Sequence, residues 1–140
     1  MGPHASRRFH IIVDAFDCEG RLLADKEAIE SLIIKLAELA EMKILAGPYV
    51  VRGVAENPGI TAFTIIDFSH ISIHTFTQTN EFCLDLFSCK SFDYRKVVSY
   101  VKEYFSLDDC KVNTSQVRYD QIPLERMPDS FLPSEYFKGT

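Results

Sequence analysis

The 140-residue sequence has no run of about 18 consecutive apolar residues, the least that a membrane-spanning helix needs. Residues 1–9 are polar and contain no apolar signal core, so we expect a cytoplasmic protein. Basic residues are outnumbered, with 15 lysines and arginines against 20 aspartates and glutamates. A broad basic surface is therefore not expected, which argues against nucleic acid and anionic membrane as partners.

Closely spaced cysteine pairs are missing as well. The sequence shows neither the Cys-X-X-Cys pairs of a zinc ribbon nor the dense spacing of a disulfide-rich secreted domain; its four cysteines are Cys18, Cys83, Cys89 and Cys110. We expect four free thiols. His70, His74 and Cys89 do not follow a usual ligand spacing, so we predict no metal site.

The sequence does contain a clear succession of strand and helix patterns. Six segments rich in β-branched and aromatic residues are predicted strands: 8–16, 44–54, 60–67, 70–76, 82–88 and 110–117. Two segments with apolar residues three or four apart are predicted helices, with Asp25 and Asp93 as their N-caps. The order βαββ followed by ββαβ predicts an α+β fold, a two-layer sandwich in which two helices cover one face of a mainly antiparallel sheet.

The length and composition suit a single domain. With 46% hydrophobic residues, the chain is long enough for one core and too short for two. We expect that core in residues 8–122, followed by an extended, proline-containing tail at residues 123–140. Because the helices cover one face only and the strand segments are almost continuously apolar, a second copy is expected to cover the other face. The sequence therefore predicts a homodimer.

The segment 67–76 is the richest in reactive side chains. It places two hydroxyls and two histidines among β-branched residues: Ser69, His70, Ser72 and His74. Such a cluster can supply a nucleophile and a base, although serines and histidines are also ordinary on a half-exposed strand. In an unbroken strand Ser69 and His74 face opposite sides, so they can meet only if a turn or bulge lies near Ser69.

A second candidate is Cys89, which ends the strand pattern of residues 84–89. A cysteine in this position is either a small buried hydrophobe or a proton donor. The pattern alone leaves both interpretations open.

Taken together, these segments resemble the short prokaryotic class of S-adenosylmethionine decarboxylase, a pyruvoyl enzyme of polyamine and spermidine synthesis. Phe68-Ser69-His70-Ile71-Ser72-Ile73-His74-Thr75-Phe76-Thr77-Gln78 aligns without gaps with the family pattern Glu-Ser-His-Leu-Thr-Ile-His-Thr-Trp-Pro-Glu. Asp85-Leu86-Phe87-Ser88-Cys89 is similar to the family's Asp-Leu-Phe-Thr-Cys at the family's spacing. Residues 10–18 and 118–122 resemble its first strand and its Arg-Tyr-Asp-Glu-Ile segment, so the resemblance covers residues 8–122.

The resemblance implies roles for three residues. Ser69 would attack the carbonyl of Phe68, the chain would be cut between them, and Ser69 would become a pyruvoyl group. That group would condense with the substrate amine and accept the electron pair released with carbon dioxide. His74 would be the processing histidine, and Cys89 would return a proton to the decarboxylated carbon.

The chain also departs from the family pattern at two places. Phe68 stands where the family has glutamate, and Phe76-Thr77-Gln78 replaces Trp-Pro-Glu. For a cationic sulfonium substrate, the acidic and aromatic candidates for binding are Asp14, Phe16 and Phe76, with Gln78 at the altered position. Two alternatives to S-adenosylmethionine decarboxylation follow: the same chemistry on arginine or ornithine, and an unprocessed homologue that binds a ligand or regulates a decarboxylase.

Overall fold

A computed structural model describes residues 7–119 of the chain. Its six strands form one sheet: β1 Phe9–Ala15, β2 Ile44–Val54, β3 Asn57–Ile66, β4 Ser69–Phe76, β5 Glu81–Ser88 and β6 Val112–Val117. The strands lie in the order β2-β3-β4-β5-β1-β6, and each neighbouring pair is antiparallel. The predicted α+β sandwich is confirmed. The predicted tail at residues 123–140 lies outside the described residues.

Three helices connect the strands: α1 Gly20–Leu23, α2 Lys26–Leu39 and α3 Tyr94–Tyr104. The two longer ones begin where the sequence predicts, because the Asp25 carboxylate accepts the N–H of Ala28 at 3.1 Å and the Asp93 carboxylate accepts that of Arg95 at 3.1 Å. The sequence analysis missed α1, which is a single turn. No helix between residues 7 and 119 has the length and apolar character needed to span a membrane.

The core lies between the two long helices and one face of the sheet. α2 packs against β2, β3, β4 and α3. Alternate strand residues point into this layer and are buried against the helices; they include Ile11, Val13, Ile60, Ile71, Ile73, Phe82, Leu84 and Leu86. Each such side chain contributes about 1.5–3 kcal/mol when it is fully removed from water.

The opposite side of the sheet, which we call the open face, has no covering layer within the described residues. Tyr49 and Val51 on β2 are 56% and 61% exposed, and Phe63 and Ile65 on β3 are each 41% exposed. Toward β4, β5 and β1 the open face becomes polar. The next strand positions there carry histidine, cysteine and aspartate, which belong to the site described below.

The sequence Asn57-Pro58-Gly59 is typical of a turn and predicts one between the second and third strands, but the turn lies two residues earlier, at Ala55 and Glu56, and β3 already begins at Asn57. Gly59 sits inside this strand at φ 150°, where a Cβ atom would lie 2.1 Å from the carbonyl oxygen of Thr75. Glycine is therefore required by the close approach of β4 and does not mark a turn. At the other end of the chain, a 3-10 turn at Asp109–Lys111 delays β6 to Val112.

Candidate active site

Ser69 is the first residue of β4, directly after a tight hairpin. Ile66 pairs with Ser69 across the β3–β4 ladder, so the loop consists of Asp67 and Phe68 alone. The φ angle of Ser69 is 150°, a value that only glycine adopts readily. Backbone strain of this kind costs about 1–3 kcal/mol. A turn therefore lies directly before Ser69, but β4 pairs without a bulge from Ser69 to His74, so the turn does not bring these two residues together.

The two loop residues are anchored to neighbouring segments. Asp67 donates its N–H to the carbonyl of Lys43 at 2.9 Å, and its carboxylate accepts the N–H of Lys43 at 3.1 Å. The ammonium of Lys90 lies 5.2 Å from the centre of the Phe68 ring, a cation–π contact. These contacts fix the peptide bond between Phe68 and Ser69 in place.

Cys89 contacts this peptide bond through its backbone. Its N–H donates to the carbonyl oxygen of Phe68 at 2.9 Å. The buried hydroxyl of Ser88 donates to the carbonyl of Lys90 at 2.7 Å and accepts the N–H of Lys90 at 2.9 Å, which closes a small turn around Cys89. The Cys89 side chain itself is exposed, so it is not a core residue. The arrangement places a hydrogen-bond donor on the carbonyl that Ser69 would attack.

His74 lies at the other end of the same strand. It is five residues beyond Ser69 on β4, about 17 Å away at about 3.4 Å per residue. Its Nδ1 atom is 3.1 Å from the Thr61 hydroxyl, and its ring is exposed on the open face. Within one chain the structure therefore brings Phe68, Ser69 and Cys89 together, and leaves His74 apart from them.

The four candidate substrate-binding residues lie at the same end of the sheet as His74. Asp14 pairs with Cys83, which in turn pairs with His74 across β1, β5 and β4. Phe16 follows directly after β1 and Phe76 ends β4; they are 41% and 37% exposed. Gln78 lies in the β4–β5 turn. The predicted site is thus divided between the two ends of the sheet.

The open face carries a polar cluster that was not predicted from the sequence. The Asp85 carboxylate of β5 accepts hydrogen bonds from Nε2 of His10 on β1 and, at 2.8 Å, from Nε2 of His70 on β4. The Tyr119 hydroxyl is hydrogen-bonded to Nδ1 of His10 at 2.9 Å. The alternation of side chains along each strand puts His10, His70 and Asp85 on the open face. Only the register of the three strands shows that their side chains are in contact.

The charge balance of this cluster favours ionised Asp85. Partial burial raises the pKa of the carboxyl, but the hydrogen bonds and positive charge of His10 and His70 outweigh it and lower the pKa below its usual value. The thiols behave differently, because burial raises the pKa of Cys18 to about 11 and also raises that of Cys83. All four cysteines are free.

The candidate site includes no metal centre within the described residues. Residues 7–119 contain no group of three or more His, Cys, Asp and Glu side chains placed to hold a metal ion. A cavity of about 570 Å³ between α2 and β2 is lined by Lys26, Glu27, Pro48 and Tyr49, among others, and by none of the predicted site residues. The reactive groups instead lie on the open face and at its edge.

Comparison with known proteins agrees with the residue patterns. The family model described as S-adenosylmethionine decarboxylase matches residues 9–117. An S-adenosylmethionine decarboxylase proenzyme from Clostridium botulinum (strain Langeland) is 35% identical over 96 residues, 68% of this chain and 80% of the relative. One from Pyrococcus furiosus is 28% identical over 98 residues, 69% of this chain and 68% of the relative.

A solved structure shows the same fold. The crystal structure of the adenosylmethionine decarboxylase from Aquifex aeolicus VF5 superposes with a TM-score of 0.67 at 16% identity, covering 89% of this chain and all of that one. Because the family model spans most of the chain and the relatives match over most of their own length, this chain belongs to the S-adenosylmethionine decarboxylase family.

Proposed function

We propose that this chain is a proenzyme that cuts itself between Phe68 and Ser69 and then decarboxylates S-adenosylmethionine in polyamine and spermidine synthesis. The observation that carries the proposal is the hydrogen bond from the Cys89 N–H to the Phe68 carbonyl, beside a serine at φ 150°. Family membership and the names of the relatives support the same reaction.

The self-cleavage converts an amide into an ester and then breaks the ester. The Ser69 hydroxyl oxygen bonds to the Phe68 carbonyl carbon, the bond from that carbon to the Ser69 nitrogen breaks, and the nitrogen takes up the hydroxyl proton. Loss of the Ser69 Cα proton then expels the Phe68 carboxylate from Cβ. The resulting enamine tautomerises to an imine, and one water hydrolyses it, releasing ammonia and leaving a pyruvoyl group at residue 69.

Two local features favour the first step. Attack places negative charge on the Phe68 oxygen, and the Cys89 N–H already donates to that oxygen; one such donor is typically worth about 10²–10³ in rate. Cleavage also releases the strain stored at Ser69, since the φ angle is constrained only while residue 69 is bonded to Phe68. The Phe68 ring under Lys90 keeps the loop ordered without the family's glutamate.

The site is compatible with a pyruvoyl group at residue 69. That group requires no binding cavity because it is part of the chain, and the donor on the neighbouring carbonyl lies where its formation needs one. A pyruvoyl group supplies an electrophilic carbonyl that condenses with an amine and accepts the electron pair freed by decarboxylation. Cys89, at the same end of the sheet with its thiol exposed, holds the proton that returns to the substrate carbon.

The division of the site supports a homodimer. In such a dimer the open faces of the two copies would stack on each other, related by a two-fold axis that lies in the plane of the open face and runs perpendicular to the strands. This axis reverses the strand direction, so the Ser69 end of one sheet would lie against the His74 end of the other. His74 of the second copy would then assist cleavage at Ser69, which a histidine about 17 Å away along the same strand does not reach. The exposed apolar residues of β2 and β3 would be covered in the same contact.

The second copy would also bring the substrate-binding candidates. Asp14 offers an exposed carboxylate, and Phe16 and Phe76 offer exposed rings, which suits a cationic substrate. Gln78 presents a neutral amide where the family pattern has a carboxylate. This substitution favours, as a second candidate function, the same chemistry on arginine or ornithine, whose positive side-chain ends Asp14 would bind.

The deciding experiment is the intact mass of the purified full-length chain under denaturing conditions. We expect two fragments, residues 1–68 and 69–140, the second without a free amino terminus; the Ser69→Ala variant, which lacks the nucleophile, should remain whole. A wild-type chain that stays whole after long incubation would refute the proposal and support the unprocessed homologue. Carbon dioxide release from S-adenosylmethionine, arginine and ornithine then identifies the substrate.

The dimer is tested by mixing variants. Co-expressed Ser69→Ala and His74→Ala chains form heterodimers in which one site keeps both Ser69 and His74. We expect each variant alone to remain uncut and the mixture to show partial cleavage of the His74→Ala chain only. No cleavage in a confirmed heterodimer would mean that His74 acts within its own chain, and cleavage of the His74→Ala chain expressed alone would mean that His74 does not act.

A further inference from the structure

His70, the second residue after the proposed cut, is fixed by three neighbours. Its Nε2 donates to Asp85 at 2.8 Å. Its ring stacks on Phe63 of β3, with centroids 5.3 Å apart, and on Phe87 of β5, with centroids 5.7 Å apart. The side chain is 31% exposed and Asp85 is 28% exposed, so the hydrogen bond between them is partly shielded from water. Asp85 in turn is held by His10.

This anchoring matters because of the chemistry at the preceding residue. The backbone nitrogen of His70 carries the carbonyl carbon of residue 69 both before and after cleavage. Once the bond to Phe68 is cut, residue 69 is a chain end, and its only covalent link to the protein is that amide. Chain ends fray unless contacts tie them down.

We propose that His70, through its hydrogen bond to Asp85 and its two ring contacts, is the positioning residue that holds the new chain end of β4 in the sheet after self-cleavage. The inference rests on the proposed function and adds a residue to it. In the uncut chain the Asp67–Phe68 loop and its contacts with Lys43 and Cys89 hold residue 69 from the other side. The contribution of His70 is therefore small before cleavage and large after it.

His10 provides a matched control. It makes the same type of bond to the same carboxylate, but from β1, whose residues lie far in sequence from the cut. His70→Phe keeps a ring between Phe63 and Phe87 and removes the hydrogen bond; His70→Gln keeps a donor at the Nε2 position. His10→Phe removes the equivalent bond on the other side of Asp85, together with the hydrogen bond between His10 and Tyr119.

The experiment measures amide hydrogen exchange over residues 70–76 in the self-cleaved full-length protein, with the extent of cleavage read from intact mass. In cleaved His70→Phe we expect exchange about tenfold faster than in wild type, as the loss of one charge-assisted bond predicts, and a similar fall in kcat with little change in KM. His70→Gln should restore most of the protection. In an uncut Ser69→Ala background, His70→Phe should change exchange less than about threefold.

Two results would overturn the inference. One is equal effects of His70→Phe and His10→Phe in the cleaved protein, which would make the cluster a general structural support. The other is an equally large effect of His70→Phe before and after cleavage. An uncut wild-type chain is a different outcome, because it refutes the proposed function, and with it any role for His70 at a new chain end.

Discussion

The strain at Ser69 can be measured by comparing two variants that both lack the nucleophile. Ser69→Ala and Ser69→Gly are both expected to stay uncut, so each unfolds as one covalent chain. Alanine keeps the cost of φ 150°, about 1–3 kcal/mol, whereas glycine adopts this angle freely. Glycine loses about 0.5–1 kcal/mol through the greater freedom of the unfolded chain. The net expectation is a glycine variant more stable by about 0.5–2 kcal/mol.

Urea denaturation followed by circular dichroism gives the free energies of unfolding, and thermal melts should place the glycine variant roughly 2–8 °C higher. Ser72, in the regular part of β4, supplies the control pair. There Ser72→Gly should be less stable than Ser72→Ala by about 0.5–1 kcal/mol, the ordinary glycine penalty. If Ser69→Gly is less stable than Ser69→Ala by the same amount as in the Ser72 pair, residue 69 is unstrained and strain release plays no part in the cleavage.

Three further predictions concern stability and reactivity in the uncut Ser69→Ala background. Cys18 should react with iodoacetamide far more slowly than exposed Cys89, since a pKa of about 11 in place of 9.0 leaves about a hundred-fold less thiolate; equal labelling rates in the native protein would contradict its burial. Because the pKa of Asp85 is lowered, the ionised carboxylate stabilises the fold at pH values above the usual carboxyl pKa of 3.8. That contribution is lost as the pH falls through the lowered pKa. The stability advantage over Asp85→Asn should therefore shrink as the pH falls below about 3.8, and an advantage that stays constant in this acid range would refute the lowered pKa. Gly59→Ala, whose Cβ would meet the Thr75 carbonyl at 2.1 Å, should cost several kcal/mol or prevent folding, and a neutral result in urea denaturation would show that β3 and β4 can separate there.

Local signals in the sequence predicted most of the fold. Asp25 and Asp93 mark their helices because a carboxylate before an amphipathic segment satisfies the first free N–H groups. Segments rich in β-branched and aromatic residues located the six strands. The single-turn helix α1 was missed because four residues are too few to show a helical period. The predicted position of the β2–β3 turn was wrong because Gly59 allows the close approach of Thr75 on β4 and is not part of a turn.

The candidate site was predictable in part. Ser69, His74 and Cys89 were proposed from a resemblance, and the expected irregularity near Ser69 follows from strand parity. The backbone donor of Cys89 and the His10–Asp85–His70 cluster depend on how β1, β4 and β5 are aligned. Strand register is set by packing and turn geometry across the whole sheet, so no local pattern in the sequence contains it.

The strand order also decides what self-cleavage does to the molecule. The proposed cut leaves β1, β2 and β3 on one fragment and β4, β5 and β6 on the other, yet β1 is inserted between β5 and β6. Separating the fragments would mean pulling a central strand out of two ladders at once, besides parting β3 from β4. Fragment 69–140 alone would have a gap one strand wide in its own sheet. The two fragments therefore form an interlocked pair, which should copurify as one particle and come apart only when the whole sheet unfolds.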